Sequence, residues 1–245
     1  MRRAAAALAT LAAAAACSSA SPTAPIASTA PTAPAAGTGV VARDVFAFED
    51  AGATIPGLVV EMRYFGSENF VGRRIAGYEA PVCLLTQETI RSLTAVQERL
   101  NSLGLGLKVF DCYRPKRAVD YFAAWARRPT DQERKADYYP NIDKSQLFEL
   151  GYIAERSGHS RGSTLDVTMV NTRTGAEVDM GSPYDLFDPI SWPADTTVSK
   201  AAQANRMLLQ DTMIKAGFRP LKEEWWHFTL EREPYPQTYF DFVVK

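Results

Sequence analysis

SGHSRGSTLD, residues 157–166, contains one of only two histidines in this chain of 245 residues. His159 is followed seven positions later by a carboxylate, Asp166. The second histidine, His227, lies in EEWWHF, residues 223–228, where Glu224 precedes it by three positions. Two imidazoles and one carboxylate form a three-ligand set that leaves a fourth position open for water, as in a catalytic zinc site rather than a structural one. Each pattern is weak by itself, so the alternative is that both histidines are surface or hydrogen-bonded core residues.

The composition is that of a globular protein of ordinary size. A length of 245 residues allows one domain plus additional segments, and a hydrophobic share of 46% is normal for a folded domain. The formal net charge is -1, which provides no electrostatic field to attract a nucleic acid or an anionic membrane. We therefore expect no nucleic-acid partner.

The N-terminus has the pattern of a bacterial export signal. Two arginines are followed by an apolar run, residues 4–16, which is too short to span a bilayer and is typical of a secretory signal. The run ends at Cys17 in a pattern that resembles a lipoprotein cleavage site, although Ala14 stands where leucine is more usual. We predict that residues 1–17 are a signal segment of lipoprotein type with Cys17 lipidated, so that the mature protein is periplasmic or membrane-anchored. The alternative is ordinary signal cleavage near Ala16.

Residues 18–42 are mostly serine, threonine, proline and alanine. Such a segment lacks the bulky apolar residues needed for a core, and its composition predicts a disordered tether. We place a single folded domain, which contains both histidines, at residues 43–245. A tether of this kind suits a domain that a lipid anchor holds close to a membrane.

Two further cysteines, Cys83 and Cys112, lie inside the predicted domain. In an exported protein two cysteines can pair, and a disulfide between them would stabilise the fold by about 3–4 kcal/mol by restricting the unfolded chain. We predict this bridge, which would also help to hold the neighbouring Arg114 in place. The alternative is two buried free thiols.

Hydrophobic periodicity predicts both strands and helices in the domain. Strands are predicted at residues 58–64, 107–111, 165–170 and 225–230, and helices after Thr86, after Pro115, at 146–153 and at 200–216. The last helix is predicted to turn one side inward, formed by Ala204, Met207, Leu208 and Met213. The order of the elements predicts an α+β fold, a single domain with a mostly antiparallel central sheet flanked by helices.

Together, the two histidine segments resemble the zinc D-Ala-D-Ala peptidases, and more closely the D-alanyl-D-alanine dipeptidases of the vancomycin-resistance type. The likeness also includes Tyr64, NF at 69–70, DCYRP at 111–115, EPYP at 233–236 and YFDF at 239–242. It covers about the last four-fifths of the chain, and the combination is highly specific. The resemblance implies a fold of the hedgehog/DD-peptidase type. Cys112 departs from the pattern, because glycine is expected there in some members.

The resemblance implies roles for five residues. One Zn²⁺ ion per chain would be held by His159, Asp166 and His227. Glu224 would be the catalytic acid and base, and Arg114 would face the oxygen of the scissile carbonyl. From the residues alone, an arginine before a proline is better explained as the anchor of a helix start.

Three further residues match positions that in the family surround the free amino group of the substrate: Tyr64, Ser157 and Asp185. Asp185 would pair with the ammonium group, and the alternative is that it caps a turn. Glu223 competes with Glu224 for the role of base, but on a strand its side chain would point to the opposite face.

The resemblance implies zinc-dependent hydrolysis of the dipeptide D-Ala-D-Ala to two D-alanines by metal-activated water. One alternative is a D,D-carboxypeptidase or endopeptidase that acts on peptidoglycan stem peptides. Another is a non-catalytic zinc-containing module that binds the cell wall, and Glu224 argues against it because binding alone needs no base. A closed pocket would favour the dipeptidase over the carboxypeptidase.

Overall fold

The computed structural model describes residues 47–245. The predicted signal segment, the lipid site at Cys17, the tether at 18–42 and the first residues of the predicted domain lie outside the described residues. Within the described range, no helix has both the length and the apolar character needed to cross a membrane.

The described residues form seven strands in two sheets. The strands are β1 Phe48–Asp50, β2 Val59–Val60, β3 Leu84–Thr86, β4 Leu105–Asp111, β5 Thr164–Asn171, β6 Phe218–Pro220 and β7 His227–Leu230. β1 and β3 form a small antiparallel sheet, and the other five lie in the order β2-β4-β5-β7-β6. In the larger sheet β2 runs parallel to β4 and the remaining neighbours are antiparallel. The predicted α+β fold with a mostly antiparallel central sheet is therefore confirmed.

The helices in this range are α1 Ala51–Thr54, α2 Gln87–Asn101, α3 Lys116–Ala126, α4 Lys135–Tyr138 and α5 Lys200–Lys215. α2 begins after Thr86 as predicted, and its apolar residues, such as Leu93 and Val96, are fully buried on one side. α2 packs against β4 and α5 packs against β6. Short 3-10 turns occur at 144–146, 158–161 and 189–191.

The predicted strand at 58–64 and the predicted helix at 146–153 differ from the observed structure. Only residues 59–60 of the strand predicted at 58–64 pair regularly, although the amides of Glu61 and Arg63 still donate to carbonyls of β4. The helix predicted at 146–153 is wrong, because the chain there makes a 3-10 turn at 144–146 and then irregular turns. Asp143 begins this turn with a reciprocal capping box, which satisfies the backbone donors at its start.

The inward side predicted for α5 is also partly wrong. Met213 is buried, but Met207 is 65% exposed. Arg206 is turned inward instead, and its guanidinium donates to the carbonyl oxygens of Met180, Ile190 and Trp192. Because these loop carbonyls need donors, satisfying them rotates the helix away from the face that hydrophobicity alone predicts.

The predicted disulfide between Cys83 and Cys112 is present, with the two Cα atoms 5.3 Å apart. Cys83 directly precedes β3 of the small sheet, and Cys112 directly follows β4 of the large one. Beside the bridge, the amide of Tyr113 donates to the carbonyl of Leu84. The disulfide therefore joins the two sheets at the end of β4 where the segment that carries Arg114 begins.

Sheet register brings three potential site residues side by side. Asp166 on β5 pairs with Asp111 of β4 on one side and with His227 of β7 on the other. The register of β4 shifts by one residue between Val109 and Asp111. This bulge places Asp111, rather than Phe110, opposite Asp166.

Candidate metal and catalytic site

The three predicted metal ligands converge at the end of the central strands. His159 lies on the 3-10 turn at 158–161, Asp166 on β5 and His227 at the start of β7. Asp166 Oδ1 is 3.3 Å from His159 Nε2 and 3.2 Å from His227 Nδ1. The two ring nitrogens are 3.3 Å apart. Two nitrogen atoms and one carboxylate oxygen from distant parts of the sequence thus form a possible metal-binding group.

The ring of His159 is oriented by the backbone of Cys112. His159 Nδ1 lies 2.8 Å from the Cys112 carbonyl oxygen. A carbonyl oxygen can only accept, so Nδ1 carries a hydrogen and Nε2 is the ring nitrogen that faces Asp166 and His227. This is the arrangement in which an outer hydrogen bond fixes the tautomer of a metal-binding imidazole.

Asp166 has one satisfied and one unsatisfied oxygen. Oδ2 accepts a hydrogen bond of 3.0 Å from the Tyr184 hydroxyl, whereas Oδ1 is buried and has no hydrogen-bond partner. Burial acts to raise the pKa of Asp166, but the imidazoles of His159 and His227 outweigh it and hold that pKa far below its ordinary value. A buried, ionised oxygen without a partner is costly. The three side chains therefore fit a divalent cation, which would satisfy Oδ1.

Glu224 lies beside the ligand group. Its Oε2 is 3.4 Å from His227 Nδ1, and its side chain is 14% exposed. Burial, and next the charge of Asp166, raise the pKa of Glu224 to about 8. A carboxyl with such a pKa can both accept and return a proton near neutral pH. Glu223 instead pairs with Lys222 at 3.1 Å and does not line the cavity described below.

Arg114 is held by a buried carboxylate that the sequence pattern did not assign. Arg114 Nε donates to Asp111 Oδ2 at 2.9 Å, and its guanidinium lies 5.0 Å from the ring centre of Tyr64. Burial opposes the charge, but Asp111 and its neighbours keep the pKa of Arg114 well above its ordinary value. Asp111 also accepts from Tyr78 at 2.7 Å. Its position three residues before Arg114 in DCYRP was the one available signal for this role.

Tyr64 and Asp185 are in direct contact. The Tyr64 hydroxyl donates to Asp185 Oδ2 at 2.8 Å. Asp185 is buried and has a left-handed backbone with φ of 61°, a conformation that is uncommon outside glycine and costs energy. Burial, with the charge of Asp166 next, raises the pKa of Asp185 well above its ordinary value. Tyr184, also missed in the sequence, links this pair to the ligands, since its hydroxyl lies 3.3 Å from that of Tyr64.

Ser157 begins the turn that carries His159. Its Oγ accepts from the backbone amide of His159 at 3.3 Å. This hydrogen bond caps the 3-10 turn at 158–161 and fixes how the turn enters the site.

All eight predicted site residues line one cavity of about 260 Å³: Tyr64, Arg114, Ser157, His159, Asp166, Asp185, Glu224 and His227. This volume is below the range of about 300–1,000 Å³ that is usual for pockets that bind drug-sized ligands. The apolar walls include Phe122 and Phe187. The cavity is therefore suited to a small polar ligand.

Comparison with known proteins agrees with this geometry. The family described as D-ala-D-ala dipeptidase, Peptidase_M15, matches residues 44–245. The chain is 43% identical over 199 residues to a D-alanyl-D-alanine dipeptidase of Streptomyces coelicolor, covering 81% of this chain and 98% of that protein. It is 41% identical to the enzyme of the same name from Enterococcus faecium, over 78% of this chain and 95% of the relative. It is also 41% identical to the D-alanyl-D-alanine dipeptidase of Enterococcus faecalis, over 75% of this chain and 91% of that protein. The chain therefore belongs to the D-Ala-D-Ala dipeptidase family of metallopeptidases.

Proposed function

We propose that the protein hydrolyses the dipeptide D-Ala-D-Ala to two D-alanines at a site that holds one Zn²⁺ ion. The observation that carries the proposal is the convergence of His159, Asp166 and His227 beside Glu224, in a small cavity, with Asp166 Oδ1 left unsatisfied. Family membership supports the same substrate, since the relatives named above are D-alanyl-D-alanine dipeptidases.

His159, Asp166 and His227 would hold the metal, and two nitrogens and one oxygen are a donor set that suits zinc. When bound, the ion would lower the pKa of water from 15.7 toward about 7 and polarise the substrate carbonyl. The Cys112 carbonyl and the Tyr184 hydroxyl would keep two of the ligands oriented.

Glu224 is the proposed general base and acid. Its carboxylate takes a proton from the attacking water and then delivers that proton to the nitrogen of the leaving D-alanine. Both transfers involve the same side chain because it lies next to the ligand group, 3.4 Å from His227 Nδ1. Such a role contributes about 10²–10⁴-fold to the rate.

Arg114 is the proposed donor to the carbonyl oxygen as negative charge develops there. The bond to Asp111 holds its guanidinium in advance, so little reorganisation is needed when the charge forms. Removal of a donor of this kind typically costs about 10²–10³-fold in turnover.

The substrate amine is proposed to bind at Asp185 and Tyr64, with Ser157 as a further substrate contact. Asp185 is a buried carboxylate that lines the same small cavity as the metal ligands, where it can pair with one ammonium group. This argument favours a dipeptidase over a carboxypeptidase acting on stem peptides.

The deciding experiment compares D-Ala-D-Ala with a stem pentapeptide as substrates of the purified protein. We expect release of D-alanine from the dipeptide, at least about tenfold slower cleavage of the pentapeptide, loss of activity on chelation and recovery with Zn²⁺. Preferential cleavage of the pentapeptide would favour the carboxypeptidase. Activity that survives removal of all bound metal would contradict the mechanism.

We further propose that the protein is exported and anchored through a lipid on Cys17. The support is the pattern of residues 1–17, together with the Cys83–Cys112 disulfide, because disulfides persist in oxidising compartments. Labelled palmitate should enter the full-length chain expressed in a bacterium and should be absent from Cys17→Ser. An unlabelled wild-type protein in the soluble periplasmic fraction would favour ordinary signal cleavage.

A further inference from the structure

A zwitterionic dipeptide has a carboxylate as well as an amine, and the roles above leave the carboxylate without a partner. We propose that Arg156 binds the C-terminal carboxylate of the substrate and makes that free carboxylate a requirement for activity. This inference rests on the proposed function and extends it to the second end of the substrate. It is carried by the position, the charge and the surroundings of Arg156.

Arg156 lies where two cavities meet. It lines the catalytic cavity, and it also lines a neighbouring cavity of about 100 Å³. Val119 and Ser157 line both cavities as well. The remaining walls of the smaller cavity are formed by Lys116, Glu155, Ser160 and Tyr239. Arg156 therefore borders both the catalytic cavity and the smaller cavity beside it.

Charge pairing distinguishes Arg156 from the other cations nearby. Arg114, the other arginine that lines the catalytic cavity, is engaged by Asp111 at 2.9 Å. Lys116 is paired with Asp120 at 2.7 Å. Among residues 47–245, no carboxylate forms an ion pair with Arg156, and its guanidinium lies over an aromatic ring instead. Arg156 is thus the cation of this cavity that is available to an anionic ligand.

The guanidinium of Arg156 is held on a fixed aromatic surface. Its central carbon lies 4.2 Å from the ring centre of Tyr239. Tyr239 is itself held, since Arg161 donates to its hydroxyl at 3.3 Å and is bound in turn by Glu233 at 2.6 and 2.8 Å. A guanidinium stacked by its face keeps its N–H groups free at the edge, where they match the two oxygens of a carboxylate.

A second donor lies in the same small cavity. The Ser160 hydroxyl is buried and has no hydrogen-bond partner, although Ser160 lines this cavity. A serine hydroxyl can donate a hydrogen bond to a carboxylate oxygen. Glu155, the acid in this cavity, is neutralised by Arg127 at 2.5 Å. The surroundings therefore favour an anion over a cation.

The test measures kcat and KM of wild type and Arg156→Gln on D-Ala-D-Ala and on D-Ala-D-Ala amide, which lacks the anionic carboxylate. We expect Arg156→Gln to raise KM for the free acid about 10- to 100-fold, as for loss of a hydrogen-bonded charge pair, with kcat within about threefold of wild type. The amide should be a poor substrate of wild type and should be affected by the substitution less than about threefold. Arg156→Lys should recover part of the affinity for the acid.

Arg99→Gln is the matched control, because it removes an exposed positive charge from α2 at a residue that lines neither cavity. It should leave both substrates unaffected. An unchanged KM for the free acid in Arg156→Gln, or equal losses on acid and amide, would overturn the role of Arg156 while leaving the dipeptidase intact. A wild-type protein that cleaves neither substrate would instead overturn the proposed function and this inference with it.

Discussion

At the residue scale, the two histidines present different ring nitrogens to the site. His159 turns Nε2 to the centre of the site because the Cys112 carbonyl binds its Nδ1. His227 turns Nδ1 to the same point. Glu224 approaches that nitrogen of His227 from the side. The three side chains therefore depend on a few neighbouring atoms, and single substitutions can test each dependence.

Glu224→Gln should lower kcat by about 10²–10⁴-fold while the protein still binds one metal ion, since the amide cannot accept a proton. Glu223→Gln is the matched control, because Glu223 pairs with Lys222 and does not line the cavity. It should change kcat less than about threefold. Steady-state kinetics with metal analysis of both variants makes the comparison. Turnover close to wild type in Glu224→Gln would rule out this base.

Tyr184→Phe should weaken metal binding about 10- to 100-fold, because Asp166 Oδ2 loses the hydrogen bond that orients it. Competition with a chelator of known affinity measures the change. The matched control is Tyr139→Phe, which removes a buried hydroxyl that has no partner in the described structure. Equal metal affinity in the two variants would show that the bond to Asp166 does not position the ligand.

At the element scale, the site forms where three strands and one short turn end together. β4, β5 and β7 supply Asp111, Asp166 and His227, and the turn at 158–161 adds His159. The amide of Arg114 donates to the carbonyl of His159, so the segment after β4 and the turn are also joined through the backbone. The disulfide fixes the start of this segment.

Replacing both Cys83 and Cys112 by alanine should lower the free energy of unfolding by about 3–4 kcal/mol, because the unfolded chain loses its crosslink. Denaturant unfolding of wild type and variant measures the difference. Reducing the wild type should give a similar loss, and the variant should not respond to the reductant. A variant as stable as the oxidised wild type would show that the bridge does not stabilise the fold.

At the scale of the whole molecule, stability and function are in conflict at the site. Asp166, Asp185 and Glu224 line one cavity, and the last two have raised pKa values, which means that burial and mutual repulsion oppose their ionisation. A folded domain that holds such carboxylates is less stable than it would be with neutral side chains. Bound metal would relieve the repulsion.

The free energy of unfolding of the metal-free protein should fall as pH rises from about 4.5 to about 8. Glu224 binds its proton more tightly in the folded state, with a pKa of about 8 against an ordinary 4.5, so its stabilising contribution is complete below pH 4.5 and is lost through pH 8. Chemical denaturation at several pH values, with Glu224→Gln for comparison, measures the effect. The free energy of unfolding should fall less steeply with pH in Glu224→Gln than in wild type. Identical pH dependence of the two proteins would contradict the raised pKa of Glu224.

Residue type and spacing indicated a possible metal site in the sequence, and the family resemblance implied its chemistry. Two histidines with acids seven and three positions away indicated a possible metal site, and the family resemblance, which also includes DCYRP, implied its ligands and the base. Helix α2 was equally predictable, since its burial follows a simple period. These features are local in the sequence, so they can be recognised without knowing the tertiary contacts.

Tertiary structure alone decided what depends on atoms far apart along the chain. The bulge between Val109 and Asp111 places Asp111 opposite Asp166, and the Cys112 carbonyl selects the tautomer of His159. Arg206 turns α5 against its hydrophobic pattern because loop carbonyls need donors. In the last two cases a backbone carbonyl is satisfied by a side chain on another element, and spacing along the sequence contains no record of that partner.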